Sequence, residues 1–174
     1  DGILIIDSEM PLGTAIESVL KTNQETIFEL DLTPNRGDCF SHRGVAREVA
    51  IFEESPFIFR QSKIVEVAEK TKDSITVNIH DENACPRYAA RIIKNVKVGP
   101  SPDWLKARLL SIGQKSINNI VDAANFVLMD TGHPMHTFDL AKIKSKSINI
   151  RYAQNGEKLT TLDNVESELK DFHL

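Results

Sequence analysis

The segment from about 116 to 131 constrains the fold of this chain most, since its apolar residues recur at helical spacing. The apolar stripe consists of Ile117, Ile120, Val121, Ala124, Val127 and Leu128. A second face carries Asn118, Asp122, Asn125 and Met129. We therefore predict an amphipathic helix from about Ser116 to Thr131, which Gly132 ends.

The polar face of this helix has two interpretations. A solvated outer face would more often carry Lys and Glu than short amides. The amides and the carboxylate could hold neighbouring loops by hydrogen bonds, or they could line a polar pocket. We predict a structural role for Asn118, Asn119 and Asp122, and for Asn125 both interpretations stay open.

Other segments predict a mixture of helices and strands. A helix is expected from about Ser41 to Phe52, with Ser41 as its N-cap. Ser101 and Pro102 should open another helix, which stops at Gly113. Thr14 and Glu17 fit a capping box at an earlier helix start.

Strands are predicted mainly from alternation and β-branched content. The predicted strands are Ile3–Ile6, Ile75–Ile79, Tyr88–Val98 and the run through Ile148, Ile150 and Tyr152, with Thr26–Asp31 also extended. Asn155-Gly156 indicates a type I′ hairpin into a strand at Lys158–Leu162. Asp163-Asn164 indicates a second tight turn.

Composition excludes several classes of protein. The chain has 174 residues, a net charge of -4, 41% apolar and 26% charged residues. It lacks the run of about 20 apolar residues that a membrane span needs. Cys39 and Cys85 form no C-x-x-C pair, which favours a reducing compartment over a disulfide scaffold. Because it starts at Asp1 without a signal peptide, we expect a piece of a larger cytoplasmic protein.

Charge is distributed unevenly along the chain. Residues 1–58 carry a net charge of -7, whereas residues 87–115 carry +6. A polyanion could contact such a basic segment. Solvated faces of a strand and a helix explain the same charges, and charge alone does not decide between the two.

The histidine-containing loop is the other candidate for chemistry. His133, His136 and Asp139 resemble a metal cluster, but a loop gives His-x-x-His no fixed geometry, so no metal is expected. Walker A, G-x-G-x-x-G and G-x-S-x-G motifs are absent from the sequence. His136 is either a polar group in a pocket beside Asn125 or a loop histidine bonded to backbone.

Several motifs, in order along the chain, resemble the beta subunit of bacterial phenylalanyl-tRNA synthetase. They are Asp31–Ser41 with Gly44–Glu48, Pro86–Arg91, Ile117–Asp122 with Asn125, Gly132–Pro134 with His136 and Phe138-Asp139, and Thr161–Asp163. The resemblance spans nearly the whole chain, so it is more specific than any single pattern.

The resemblance implies an α+β fold with a β-sandwich-like editing domain and flanking helices. A small, mainly helical module would occupy residues 1–55, a connector 56–73, and the editing domain 74–174. The family's glycine-rich segment and the acidic residue that recognises the tyrosine hydroxyl would lie beyond Leu174. On this expectation, the editing domain is truncated and its pocket is incomplete.

The same resemblance implies a function and partners. The family's holoenzyme contains two alpha and two beta subunits, and joins phenylalanine to tRNA(Phe) with ATP and Mg2+ in the alpha subunit. Its beta subunit hydrolyses mischarged tyrosyl-tRNA(Phe). No cofactor is expected on this chain, and no membrane contact.

Site residues follow from the resemblance by position. His136 and Asn125 match residues that line the editing pocket, and Pro134 matches a residue of its wall. Lys115 stands where the family commonly has arginine, which keeps the charge but not the two-pronged donor. The alternatives are a non-catalytic module that packs against a subunit or tRNA, and a free-standing deacylase, which the upstream module disfavours.

Overall fold

The computed structural model describes residues 9–20, 26–59, 62–161 and 164–174. Its helices are α1 Ile16–Leu20, α2 His42–Phe52, α3 Asp103–Ser111 and α4 Asn119–Thr131. Its strands are β1 Thr76–Ile79, β2 Ser147–Ile150, β3 Lys158–Thr160 and β4 Glu166–Glu168. This mixture confirms the predicted α+β class. The strand predicted at Ile3–Ile6 lies outside the described residues.

Helix α2 begins as predicted at a serine cap. The Ser41 Oγ accepts a hydrogen bond from the Gly44 N–H at 3.0 Å, which satisfies one of the free donors at the helix start. Gly44 lies against the preceding turn, and a Cβ there would lie 1.8 Å from the Asp38 carbonyl oxygen. Only glycine therefore allows α2 to approach this turn so closely.

The small core lies between α3 and α4. Leu105 and Leu109 of α3 and Ala124 of α4 are buried, and Leu109 is only 1% exposed. Trp104 and Phe126 meet edge to face, with ring centroids 5.6 Å apart. Of the predicted apolar stripe, Ala124 is buried and Ile117, which precedes α4, is 65% exposed. Its other members, Ile120, Val121, Val127 and Leu128, are half-buried.

A two-stranded parallel sheet pairs the strand that precedes α3 with the strand that follows α4. β1 pairs with β2 in register from Thr76 opposite Ser147 to Ile79 opposite Ile150. Between these strands the chain passes through α3 and α4, the kind of long crossover that parallel strands require. The sheet therefore brackets both helices in sequence.

The hairpin predicted at Asn155-Gly156 is wrong. Of its two central residues only Gly156 has a positive φ, whereas a type I′ turn needs both. β2 pairs with β1 instead, and β3 pairs antiparallel with β4. The second predicted turn does connect paired strands: Asn164 is left-handed, and its N–H donates to the Thr161 carbonyl at 2.9 Å.

Two predicted extended segments form no regular strand. The segment from Tyr88 to Val98 has no strand partner among the described residues, and Asn95 interrupts it with a φ of 58°. β-branched content favours a strand only where a neighbouring strand can pair with it. Thr26–Asp31 likewise lies outside the regular strands.

Two predicted helix caps are also wrong. The Thr14 hydroxyl donates to the Pro11 carbonyl at 2.6 Å, and α1 begins only at Ile16. At α3 the N-cap is Pro102, because the Ser101 hydroxyl donates to Asp122 instead. Each hydroxyl donates to another acceptor instead of capping its helix: a backbone carbonyl for Thr14 and a carboxylate for Ser101.

Much apolar surface remains exposed. The accessible surface is 15567 Å² for a chain of 19.5 kDa, against roughly 8500 Å² for a compact monomer of this mass. Phe28, Phe52 and Ile93 are all more than 75% exposed. These side chains lie outside the packed core between α3 and α4.

Candidate functional site

The four predicted pocket residues lie on α4 and on the loops at its two ends. Lys115 precedes the helix and is exposed, Asn125 is half-buried on the helix, and Pro134 and His136 follow it in an exposed loop. The His136 ring stacks on Phe138, with centroids 6.1 Å apart and an interplanar angle of 29°. In the described part of the chain, neither Asn125 nor His136 forms a side-chain hydrogen bond, so both polar groups are available to a ligand.

Asn118 and Asp122 fix the start of α4. The Asn118 Oδ1 accepts from the N–H groups of Ile120 and Val121, both at 3.0 Å, and so caps the helix. The fully buried Asp122 carboxylate accepts from the Ser101 hydroxyl at 2.5 Å, the Ser116 hydroxyl at 2.6 Å and the Ile117 N–H at 2.8 Å. The loop that carries Lys115 is thereby held to the helix.

Hydrogen bonding keeps Asp122 ionised despite its burial. Burial alone would raise the pKa of the Asp122 carboxyl, but the bonds from Ile117, Ser101 and Ser116 outweigh it and lower the pKa. A carboxylate with three donors, rather than an acid, therefore occupies this position at neutral pH. It stabilises the site rather than supplying a proton.

Asn119 attaches a third segment to α4. Its Nδ2 donates to the Lys97 carbonyl at 2.9 Å, and its Oδ1 accepts from the Gly99 N–H at 3.1 Å. The Asn119 N–H also donates to the Gly99 carbonyl at 2.9 Å. Asn119 and Asp122 thus hold neighbouring loops, and Asn118 caps the helix itself. Of these four polar side chains, Asn125 is the one without a hydrogen bond to the described residues.

Part of the basic segment is already paired. Arg91 lies 3.3 Å from Glu66, and Lys94 pairs with Glu69. Both acidic residues belong to the predicted connector. The positive charge that a polyanion would meet is therefore smaller than the sequence total suggests.

The described surface contains cavities elsewhere. One of about 240 Å³ lies among β2, β3 and the final residues, and includes Arg151, Glu157 and His173. Another of about 360 Å³ lies between α2 and the segment through Phe57 and Phe59. The four predicted pocket residues line neither of them, so their convergence on one cavity stays a prediction.

A compact charge cluster precedes α2. Arg36 forms two hydrogen bonds with Asp38, each 3.1 Å, and lies 2.7 Å from the nearer oxygen of Glu48. The hydrogen bond from Arg36 lowers the pKa of Asp38 to about 2. Burial raises the pKa of the nearby Cys39 thiol. This arrangement joins the turn before α2 to the helix itself.

The same cluster is the group of potential metal ligands among the described residues. The ligand atoms of Asp38, Cys39 and Glu48 lie within 4.8 Å of one another. The Arg36 guanidinium already supplies the positive charge between the two carboxylates, and a neutral thiol is a poor metal ligand. The geometry thus fits a structural ion-pair cluster.

Acid should weaken two ion pairs, Arg36 with Asp38 and Arg151 with Glu157. Arg151 binds Glu157 through two contacts of 2.9 Å and lowers the pKa of Glu157 from 4.5 to about 2, while that of Asp38 falls from 3.8 to about 2. A lowered pKa in the folded state stabilises the fold above the unfolded pKa, and this contribution disappears as the pH falls toward 2. We expect the protection factors of the amides near Glu157, which compare the measured exchange rate with the intrinsic rate at each pH, to fall between about pH 4.5 and 2.

The matched variants for this pH prediction are Glu157→Gln and Glu168→Gln. Replacing Glu157 should remove the acid-dependent loss of protection, because glutamine does not titrate. Glu168 is exposed and has no ion pair within the described ranges, so its variant should behave like the natural protein. The same acid response in Glu157→Gln as in the natural protein would contradict the assignment.

Sequence reasoning missed the long-range partners of the site. Ser101 and Ser116 precede α4 as ordinary loop serines, and their shared acceptor shows only in three dimensions. Arg43 lies 2.5 Å from Asp130 near the far end of α4. The separation of these residues along the chain gave no local signal.

None of the described helices is long and apolar enough to span a bilayer.

Comparison with known proteins shows which family the chain resembles. The sequence profile of the B3/4 domain matches residues 84–174, which include Lys115, Asn125, Pro134 and His136. The whole chain is 45% identical to proteins named phenylalanine–tRNA ligase beta subunit from Fusobacterium nucleatum and Protochlamydia amoebophila. A third, from Geobacter sulfurreducens, is 44% identical over 169 residues.

These relatives are much longer than this chain. The alignments cover 97–100% of the chain but only 21–22% of each relative. The resemblance to ligase beta subunits that the sequence motifs indicate is confirmed along the chain's length. The chain belongs to the B3/4 domain family.

Proposed function

We propose that this chain forms part of the editing region of a phenylalanine–tRNA ligase beta subunit, where it helps to hydrolyse tyrosine wrongly esterified to tRNA(Phe). The observation that carries this proposal is the 45% identity over all 174 residues to proteins of that name. The B3/4 match supports it further, since it includes the four predicted pocket residues. The domain boundaries at 55 and 74 remain predictions.

The chemistry of the substrate explains why a second site is needed. Tyrosine differs from phenylalanine by one hydroxyl, and an apolar pocket rejects such an addition only about 100-fold. A pocket with polar partners for the hydroxyl selects tyrosine, because phenylalanine leaves those partners unpaired. Hydrolysis then needs a water directed at the ester carbonyl.

The residues of α4 and the following loop suit this task. Asn125 offers both a donor and an acceptor, and His136 offers an imidazole that can bind or orient water. Pro134 shapes the wall of the proposed pocket, and Lys115 supplies a positive charge toward the tRNA end of the substrate. Further parts of the holoenzyme complete the pocket.

The proposed holoenzyme acts in the cytoplasm with an alpha subunit and tRNA(Phe) as partners. ATP and Mg2+ serve phenylalanine activation in the alpha subunit, and this chain binds neither. The large exposed apolar surface is consistent with a chain that packs against other protein surfaces.

The same exposed surface favours a second candidate, a non-catalytic module that packs in the synthetase while His136 only braces its loop. The two proposals differ in what removal of the imidazole does. A bracing histidine affects stability alone, whereas an editing histidine affects the clearance of tyrosyl-tRNA. The paired state of Arg91 and Lys94 makes tRNA docking the weaker form of this candidate.

His136→Ala in the holoenzyme is expected to leave phenylalanine ligation unchanged and to make tyrosyl-tRNA(Phe) accumulate. Loss of a group that positions water typically slows such a step on the order of 100-fold. Acylation with tyrosine in place of phenylalanine measures this accumulation directly. His133→Ala is the matched control, since His133 is exposed in the same loop but outside the proposed pocket.

Normal clearance of tyrosyl-tRNA by His136→Ala would contradict the editing role of this residue. If that variant also unfolded at a lower temperature, the bracing role would be supported. Equal mischarging by the His133 and His136 variants would indicate a general effect of the loop rather than a pocket residue.

A further inference from the structure

The N-terminal end of α2 holds the C-terminal end of α4 through consecutive contacts. The His42 Nδ1 lies 2.9 Å from the Met129 carbonyl oxygen. The Arg43 Nη2 lies 2.5 Å from the Asp130 Oδ2. One residue beyond Thr131, the position of a Cβ on Gly132 would lie 3.4 Å from the Ser41 Cβ. Residues 41–43 thus contact α4 at its end, where the next loop begins.

Electrostatics favour this end-to-end arrangement. The N-terminus of a helix carries partial positive charge and the C-terminus partial negative charge, so the two ends attract each other. Arg43 adds a full charge against Asp130, and both side chains are only about one third exposed (35% and 33%). The Arg43 guanidinium also lies over the Phe59 ring, 4.0 Å from its centroid. Arg43 is therefore held from two sides.

The loop that carries His136 starts directly at this contact. Gly132 ends α4 in a left-handed conformation, with a φ of 78°, and its N–H donates to the Leu128 carbonyl at 2.7 Å. The His133 N–H donates to the Thr131 hydroxyl, which in turn donates to the Val127 carbonyl. The direction in which the chain leaves α4 is thus set by residues adjacent to Asp130.

We infer that Arg43 is a positioning residue for the loop that carries His136, acting through Asp130 and the end of α4. The inference rests on the proposed function for its catalytic consequence, but the mechanical coupling does not depend on that function. A residue of the upstream helical module thereby controls the geometry of a site in the B3/4 domain. Its contribution is geometric, since Arg43 itself need not touch the substrate.

Arg43→Gln in the holoenzyme tests this coupling. We expect kcat for hydrolysis of tyrosyl-tRNA(Phe) to fall about 10-fold with KM nearly unchanged, because small misplacements of a catalytic group slow the chemical step. Phenylalanine ligation should stay normal. Hydrogen exchange at the Gly132 and His133 amides, whose N–H groups donate to Leu128 and Thr131 where the loop begins, should become faster.

Arg47→Gln is the matched control for this variant. Arg47 lies one turn further along α2, is exposed, and forms no ion pair with any described residue. Its replacement should change neither hydrolysis nor exchange. The double variant Arg43→Asp with Asp130→Arg exchanges the two charges. It should recover part of the kcat that Arg43→Asp alone loses, which a general loss of stability would not allow.

The outcomes separate this inference from the proposed function. If His136→Ala slows hydrolysis but Arg43→Gln changes neither kcat nor loop exchange, the positioning role is wrong. If His136→Ala has no effect but Arg43→Gln accelerates loop exchange, the coupling holds and the editing role fails. Should Arg43→Gln not fold, Asp130→Asn replaces it. That variant loses the ion pair but keeps Arg43 over the Phe59 ring, so kcat should fall about as far, and a natural kcat would overturn the inference.

Discussion

Asp122→Ala is expected to disorder the start of α4 and the loop that carries Lys115. The substitution leaves the Ser101 hydroxyl, the Ser116 hydroxyl and the Ile117 N–H without their shared acceptor in a buried position. Unpaired buried donors are among the few causes of large destabilisation by a single mutation. In the full-length protein, exchange of the Ile117 amide should accelerate roughly 100-fold or more.

Two other substitutions test whether the carboxylate matters for this reason. Asp122→Asn keeps the shape and one acceptor oxygen, and the serine hydroxyls can rotate to accept from its amide, so its effect should be smaller. Asp103→Asn removes an acidic group from neighbouring α3 whose side chain is fully exposed, and should change little. Equal exchange rates for Asp122→Ala and Asp103→Asn would show that the buried hydrogen bonds do not hold this loop.

Gly44→Ala is expected to displace α2 from the turn that precedes it. The added methyl group would meet the Asp38 carbonyl oxygen at 1.8 Å and the Cys39 Cα at 2.9 Å. Backbone atoms cannot move aside as a flexible side chain can, so the cost should be about 3 kcal/mol or more. Local opening of α2, measured by native-state hydrogen exchange, should rise roughly 100-fold.

Gly37→Ala is the matched control for Gly44→Ala, since a Cβ at Gly37 would have no neighbour within 4 Å. This variant belongs to the same turn and should leave exchange in α2 almost unchanged. A comparable loss of protection in both variants would mean that general glycine flexibility, and not the close approach of two backbones, explains Gly44. The Arg36 cluster should also loosen in Gly44→Ala, because Glu48 moves with α2.

Local signals in the sequence predicted the helices well. Ser41 caps α2 and Gly132 ends α4 because capping is an interaction between residues three or four apart. The strand predicted at Tyr88–Val98 and the hairpin at Asn155-Gly156 were wrong, since pairing depends on which distant strand is available. β1 and β2 find each other across about 70 residues, which no local pattern indicates.

In the candidate site, too, the features that depend on nearby residues could be predicted and those that depend on distant residues could not. The polar face of α4 could be identified from spacing, and the structural role predicted for Asn118, Asn119 and Asp122 is confirmed: Asn118 caps the helix, and the other two hold loops. Pro134 and Lys115 were selected only by resemblance, because an exposed loop residue carries no periodic signal. His136 was also a candidate from the histidine-containing loop itself, where its role stayed open. Arg43 could not be predicted at all, since its partner Asp130 is adjacent only after folding.

The most direct test of the editing account is the single-turnover hydrolysis of purified tyrosyl-tRNA(Phe) by the holoenzyme, which excludes ligation from the measured rate. The account predicts that His136→Ala and Asn125→Ala both slow this reaction on the order of 10- to 100-fold, because it assigns both side chains to the pocket that binds the ester. Natural hydrolysis rates in both variants would contradict the proposal that α4 and the loop after it line one editing pocket.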